Sequence, residues 1–525
     1  MEALRRCDGD SEKFSELFRY QYVLAPKKLN LPGMASRKIG KYWLHTGKLA
    51  RVTALEDKNG IFIGYVVGIA VDDGGMLVER WRLRGVDSKG KDDPFTEVEA
   101  WIEDVAGRYT AIFDINGKSR VYCDPVGMNG QCFNSKSRYV GSSPFLCIDR
   151  PLKPNPLYDL EMVTSGKGRI SIFHTADEDV RRQNPSCFLD LTTFEQTRFW
   201  PREHRFDTPE SDYLTSYAEI ARTVRHNVVS ISRHEETALP VSGGRDSRLL
   251  LGLIGKEGRD AISMLYSYFT NYATRRDTEI ARRLAAKVGK PINIFSSRQS
   301  RPFDRREKNI KIRRENFMIA SGMSGSIRDP HFKLDRFVPS GMVILRGHQT
   351  DLLRAVFLPY ADRTRWENLP VQIRKLLIVP GAEFDRRVFR KFEPAYSDWL
   401  SGLPVAAVRK QMDFMFLEVF SSASLGMMFP AFHEHFFMSP FNSRRLIALS
   451  LGFDDAYRIG VKPVFDLLHA TCPELENVPF DDEVGPDLCE IIDEHYVSEA
   501  VRNRVDDTQR RYDALEKASR AAGLS

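Results

Sequence analysis

Residues 239–251 read LPVSGGRDSRLLL, and their types and order point to phosphate chemistry. A short apolar run, Ala238 to Val241, ends in Ser242-Gly243-Gly244-Arg245-Asp246-Ser247, and an apolar, helix-like segment follows at once. This order predicts a strand, a tight glycine turn and a helix N-terminus. There the first backbone N–H groups lack partners within the helix and the helix dipole adds positive potential, so an anion is attracted. Gly243 and Gly244 remove the Cβ atoms that would hold a phosphate away. Asp246 is the odd member, because a carboxylate facing phosphates repels them unless a divalent cation lies between. The pattern therefore predicts Mg²⁺ together with a polyphosphate. Val241, Ser242, Gly243, Gly244, Asp246 and Ser247 are the expected pyrophosphate-binding residues. Neither Gly-x4-Gly-Lys-Ser/Thr nor a strand-linked Gly-x-Gly-x-x-Gly is present, which argues against the usual P-loop and a dinucleotide site.

A second segment has the same form. Apolar Met342 to Leu345 runs into Arg346-Gly347-His348-Gln349-Thr350-Asp351 and then LLRAVF. Gly347 joins the expected phosphate-binding set. Asp246 and Asp351, at neighbouring strand ends, would grip Mg²⁺ against phosphate oxygens, since Mg²⁺ commonly uses one or two carboxylates plus phosphate. Taken alone, Asp351 fits a helix N-cap equally well.

Both turns need a sheet that brings their strand ends together. From Ser211 the hydrophobic period is helical, and strands are predicted at residues 262–266, 292–295 and 342–345, with the helix DTEIARRLAAKVG ended by Gly289. Strands alternating with helices predict a doubly wound parallel sheet whose ligands bind at the carboxyl ends of the strands. Residues after about 360 read as mainly helical. Upstream, residues 43–200 read as short alternating strands, with Asn116-Gly117 marking a hairpin. The polar, proline-bearing stretch 201–209 is the expected boundary.

With 525 residues the chain is long enough for two domains. A formal charge of +6 does not by itself demand nucleic acid or a membrane surface. No apolar run approaches the roughly 18 residues of a spanning helix, and the N-terminus has no apolar signal-like core. Seven scattered cysteines (7, 123, 132, 147, 187, 472 and 489) suggest neither a disulfide framework nor a zinc knuckle, so a cytoplasmic location is expected.

These motifs, in order, resemble the asparagine synthetase family and its relatives, the β-lactam synthetases and lasso-peptide macrolactam synthetases. VSGGRDSRLLL resembles the pyrophosphate loop of these ATP pyrophosphatases. TRRDTEIARRLAAKVG is similar to the acid-led helix after the next strand, and RGHQTDLL stands where the family has Ser-Gly-x-Gly-x-Asp-Glu. FMSPFNSRRLIALSLGF followed by VKPVFDLLHA resembles the C-terminal portion. GRYTAIFDINGKSRVYCDPVGM is similar to amidotransferase-like strands ending in Asp-Pro-Leu-Gly, matched by Asp124, Pro125 and Gly127. The resemblance implies an antiparallel, β-rich amidotransferase-like domain of the N-terminal-nucleophile type over residues 1–205. It implies a doubly wound parallel α/β ATP pyrophosphatase domain over residues 206–525. Met1 is followed by Glu2, and Cys7 lies too far in to serve as an N-terminal nucleophile, so no glutaminase activity is expected.

The implied reaction adenylates a carboxylate with Mg-ATP, releases pyrophosphate and forms an amide on amine attack. His348 occupies the family position that is Glu in asparagine synthetases and Tyr in β-lactam synthetases, and is the candidate base for the amine. Lys462 is the candidate for the late lysine that offsets charge at the α-phosphate, although the family's lysine usually follows the next helix. ATP and Mg²⁺ are the expected cofactors. Small-molecule or peptide carboxylates and amines are the expected partners, with a homodimer allowed and nucleic acid not expected. Alternatives within the resemblance are a macrolactam cyclase, an asparagine synthetase using ammonia, and a catalytically silent nucleotide-binding scaffold. The basic run RQSRPFDRREKNIKIRR (residues 298–314) reads as a solvated face that could also guide an anionic substrate. The triplet His433-Glu434-His435 lacks a shared helix face for its histidines and is assigned no metal. The C-terminal stretch from Val501 reads as a solvated helix.

Overall fold

A computed structural model describes the chain except for residues 91–92, 167, 203–205, 270–271, 297–306, 324–336, 359–371, 374–375, 378–389, 485–496 and 525. It is a mixed α/β protein with two largely antiparallel sheets in the N-terminal half and one parallel sheet in the C-terminal half.

The antiparallel sheets have six and eight strands and stack face to face. Alternation along the strands decides which side chains meet, because successive residues point to opposite faces. Tyr22, Leu24, Tyr42 and Leu44 of one sheet share a core with Val67, Ile112, Val121 and Leu189 of the other. The intervening Val23 and Ala25 face the opposite way, onto the helices Glu2–Arg6 and Ser11–Leu17. The outer face of the second sheet is covered by the helix Pro94–Asp104 through Phe95, Val98 and Ile102. The layers are thus helix, sheet, sheet, helix. The predicted hairpin forms between Ala106–Ile115 and Lys118–Cys123, with Asn116 at φ 52° and Gly117 at φ 77°, as a tight two-residue turn requires.

The parallel sheet has five strands: β1 (Thr237–Pro240), β2 (Met264–Phe269), β3 (Ile292–Ser296), β4 (Val343–Leu345) and β5 (Phe436–Met438). Their spatial order is β3-β2-β1-β4-β5. β5 falls within the stretch after about residue 360 that reads as mainly helical. Its Phe436-Phe437-Met438 is flanked by polar residues and is too short for its pattern to show a period. Both faces of this sheet are buried. Leu239, Val241, Leu265, Val343, Leu345, Phe436 and Met438 pack with the helices α1 (Tyr213–Ser232), α2 (Arg245–Leu253) and α3 (Tyr272–Lys287). The alternate residues Ala238, Tyr266, Ile344 and Phe437 point into the other core, which runs on to Leu55, Val66 and Phe113 of the N-terminal half.

The two halves therefore share one core, and buried polar contacts pin them. Gly107 and Asn442 exchange backbone and side-chain bonds, the Asn442 amide donating to the Gly107 carbonyl at 2.7 Å and to Asp124 at 2.9 Å. Arg444, fully buried, donates to the carbonyls of Cys123 and Pro185. The boundary expected at 205 lies between the last antiparallel strand, Gln196–Arg198, and α1, beside residues outside the described set.

Two sequence readings change. The helical run Gln411–Ala431 has the length and mean hydropathy, 1.4, of a spanning segment, but 83% of its window is buried inside the protein, as a core helix would be. The C-terminal helix, Glu499–Ala521, is docked rather than merely solvated. Val501, Thr508, Leu515 and Ser519 are buried, and Arg511 donates at 2.8 Å to the buried carboxylate of Asp466. Its sparse apolar positions and dense charge hide this in the sequence, because the contacts that hold it are long-range ion pairs.

Candidate functional site

Strand order places the first feature. From β1 the chain winds outward through β2 to β3, whereas β4 and β5 extend the other way. Such a reversal opens a crevice at the carboxyl ends of the two central strands. β1 ends in Val241–Gly244 and β4 ends in Arg346–Asp351, so the two motifs meet there.

In the first loop, the Val241 N–H continues the pairing by donating to the Tyr266 carbonyl at 2.8 Å. Ser242 N–H donates to Ser247 Oγ at 3.1 Å, the two hydroxyls lie 3.1 Å apart, and Gly244 N–H reaches Ser242 Oγ at 3.3 Å. These bonds fold the turn back on α2. Gly244 is the N-cap of α2 and supplies no side-chain acceptor. The helix N-terminus is therefore left for an outside anion.

The two glycines differ in what they make room for. A Cβ at Gly243 would stand 2.8 Å from both Asp277 Oδ1 and Ile280 Cδ1, and 3.1 Å from Asp481 Cβ. At Gly244 a Cβ would meet only Ser242 Oγ, at 3.5 Å. Of the two glycines expected at the phosphate, the missing Cβ of Gly243 admits the protein's own packing, and Gly244 borders the cavity.

The second loop presses against the first. A Cβ at Gly347 would lie 2.7 Å from the Asp246 carbonyl oxygen. Thr350 Oγ1 donates to Asp246 Oδ1 at 3.0 Å. Arg354, 108 residues from Asp246 in sequence, donates from one nitrogen to Asp246 Oδ2 at 2.9 Å and to Asp351 Oδ1 at 2.7 Å. The two carboxylates expected to act together are brought together, with a guanidinium between them. Gln349 sits at φ 69°, a left-handed conformation that glycine adopts freely and glutamine at a cost of roughly 1–2 kcal/mol.

A cavity of about 250 Å³ lies between the loops. Val241, Ser242, Gly244, Asp246 and Ser247 form one wall, Arg346, Gly347 and His348 another, and Tyr266, Ser267, Tyr268 and Asp277 a third. Burial, and then the Asp246 charge, push the Asp351 carboxyl up to about 7, with Arg354 opposing. Burial and the Arg346 charge push His348 down to about 3, so its imidazole is neutral at neutral pH. Its ring lies 5.7 Å from that of Phe429, and its carbonyl accepts from Ser439 Oγ at 2.7 Å. Asp277 is raised by burial and by Asp481.

Arg245 and Arg248 turn away from the cavity. Arg245 pairs with Asp482 at 2.7 Å, while buried Arg248 bonds to the carbonyls of Val478 and Pro479 and stacks 3.8 Å from the Phe480 ring. They clamp the segment 478–482 onto the glycine turn, where Asp481 N–H donates to the Gly243 carbonyl at 3.1 Å.

Lys462 does not join the site. It is exposed at the start of the helix Lys462–Thr471, its ammonium 5.3 Å from the Tyr457 ring centroid, and it does not line the cavity. Glu434 of the His433–His435 triplet pairs with Arg19 at 3.0 Å. No group of three or more His, Cys, Asp or Glu side chains suited to a metal occurs among the described residues. Most of the basic run from Arg298 lies outside them; Arg314, within the helix Glu307–Ser321, donates to the Thr164 carbonyl at 2.8 Å.

Sequence reasoning missed Thr350 and Arg354, and the aromatic wall of Tyr266 and Tyr268. Arg354 follows Asp351 by three positions, the spacing of a helical ion pair, and that signal was available. The tyrosines sit at the end of an ordinary-looking strand, where only the fold reveals a crevice. No protein-family model matches the chain, and no curated protein matches it.

Proposed function

We propose that the protein is an ATP-dependent, AMP- and pyrophosphate-forming carboxylate–amine ligase, with an amidotransferase-like N-terminal half that lacks glutaminase activity. The observation carrying this reading is the meeting of the Ser242–Ser247 and Arg346–Asp351 loops around one cavity at the reversal point of a parallel sheet. The helix–sheet–sheet–helix layering of the N-terminal half supports its second part.

In this reading the uncapped N-terminus of α2, with the Ser242 and Ser247 hydroxyls, binds the pyrophosphate portion of ATP. Asp246 and Asp351 are the residues that would hold Mg²⁺. Asp246 lines the cavity and Asp351 is joined to it through Arg354, and a carboxylate pair with phosphate oxygens suits that ion; burial first, and then the Asp246 charge, raise the Asp351 carboxyl, and a divalent cation would offset the second of these. Bound there, Mg²⁺ supplies charge neutralisation at the phosphates. Thr350 holds Asp246 in place, and Gly347 keeps the loops in register.

A substrate carboxylate oxygen bonds to the α-phosphorus, pyrophosphate leaves, and an amine then displaces AMP from the acyl carbon and gives up a proton. His348 is on the cavity wall and neutral, the form a base needs; burial, the larger cause, and the Arg346 charge both weaken it as a base, and phosphates beside Arg346 would offset only the second. Among the described residues Arg346, not Lys462, is the cation that lines the cavity.

Pyrophosphate exchange into ATP across a panel of carboxylic acids tests the reading, with AMP as the expected nucleotide product and loss of exchange in Asp246→Ala. ADP as product, or no nucleotide uptake by calorimetry with Mg²⁺ present, overturns it. A second reading, nucleotide binding without chemistry, is favoured by one observation: Lys462 stands outside the cavity. Retained ATP binding without exchange on any acid would select it.

A further inference from the structure

Arg354 is the least expected member of the site. It lies at the end of the short turn Thr350–Arg354, immediately before Ala355, which has a left-handed backbone at φ 45°. A single guanidinium nitrogen spans Asp246 and Asp351, and Thr350 occupies the other oxygen of Asp246. The place between the two carboxylates that a cation would take is thus filled by a cation from the chain itself. The arrangement is partly shielded, with the Arg354 side chain 23% exposed, that of Asp351 19% and that of Asp246 35%. In such surroundings a charge-assisted bond is strong, and removing one partner leaves the others uncompensated.

We propose that Arg354 is an internal placeholder for the metal. It keeps the carboxylate pair together and neutralised in the nucleotide-free protein, and yields its place only when a metal arrives with phosphates that give the guanidinium new acceptors. This rests on the reading of the cavity as a Mg-nucleotide site, and it explains how two half-buried acids remain adjacent before any ligand binds. Free metal must displace a covalently tethered competitor, whereas a metal–nucleotide complex compensates the displaced guanidinium with phosphate oxygens. Metal and nucleotide uptake are thereby coupled. Arg354 is a positioning residue here and takes no part in bond making.

The test uses Mn²⁺ or Mg²⁺ alone, without nucleotide, so its result does not depend on turnover. Thermal unfolding and Mn²⁺ binding by electron paramagnetic resonance are compared for the wild-type chain and Arg354→Gln. The wild type is expected to show no stabilisation by millimolar metal, while Arg354→Gln binds metal alone about tenfold more tightly or better and melts at a higher temperature with metal than without. Asp351→Asn in the Arg354→Gln background should abolish that gain. Should Arg354→Gln fail to fold, Arg354→Lys, which keeps the charge but on a shorter stem that reaches the pair less well, should show an intermediate gain. Equal metal-alone affinity in wild type and variants, or no gain in any variant, overturns the proposal. If the wild type fails to bind nucleotide while the metal-alone contrast holds, the functional reading falls and the placeholder role stands.

Discussion

Gly244→Ala adds one methyl group to the wall of the cavity while leaving the rest of the fold room to stand. The backbone there has φ −74° and ψ 174°, extended values that alanine adopts readily. The new Cβ would meet nothing nearer than Ser242 Oγ at 3.5 Å, an ordinary contact. Alanine is a poorer N-cap than glycine by up to about 1 kcal/mol. Lower entropy of the unfolded chain returns about 0.4–1 kcal/mol. The net change in stability should therefore lie within about 1 kcal/mol. Phosphate binding is another matter, because the methyl stands where an anion must approach the N–H groups of α2. Losing one or two charge-assisted bonds of roughly 1.5–3 kcal/mol each corresponds to a rise in Kd for Mg-ATP on the order of a hundredfold. Gly243→Ala and Gly347→Ala are the contrasts. Their Cβ atoms would overlap protein at 2.8 and 2.7 Å, in the second case against backbone, so both should destabilise by about 1–3 kcal/mol or more. Urea unfolding and calorimetric titration with Mg-ATP, run on all three variants, separate the effects. A Gly244→Ala protein that folds normally and binds Mg-ATP within about threefold of wild type would refute the assignment of the glycine turn as the phosphate seat.

Asp351 holds its proton up to about pH 7 in the folded chain, against 3.8 for the free group. Between those values the native state binds more protons than the unfolded one, so stability falls as pH rises; urea unfolding at pH 5 and pH 8 should show Asp351→Asn losing less than wild type, by on the order of 2 kcal/mol. His348 shows the opposite sign, because its folded value of about 3 lies below the ordinary 6.5. The unfolded chain binds more protons in that window, so this contribution is lost as pH falls, and His348→Gln should flatten the acid limb of stability between pH 4 and 7. Lys462→Ala, at an exposed position, should change stability by no more than about 0.5 kcal/mol and leave Mg-ATP affinity intact; a tenfold loss by calorimetry would return Lys462 to the site. Arg511→Ala removes the ionic partner of the fully buried Asp466, which keeps the Tyr217 and Tyr457 hydroxyls among the described residues, and should cost about 3 kcal/mol in denaturant melts and free the C-terminal helix to proteolysis.

Local chemistry was written in the order of the residues. The glycine turn between a strand and a helix, the second turn of the same form, the Asn116-Gly117 hairpin and the alternation of strands and helices each depend on neighbours within a few positions. Backbone sterics and hydrophobic period act over that range, so the parallel sheet, the antiparallel sheets and the Ser242–Ser247 loop were legible without coordinates. What the loops do to one another was not. That Gly243 yields to Asp277 and Ile280 while Gly244 faces the cavity, that Arg354 bridges Asp246 and Asp351, and that Lys462 stands apart all depend on the strand order β3-β2-β1-β4-β5. The same holds for β5, three residues whose strand character comes from pairing with β4, and for the C-terminal helix, held by a buried carboxylate far away in sequence. Short-range sterics and periodicity are properties of consecutive residues; which charges become neighbours, and how deeply they are buried, is decided only when the chain closes on itself.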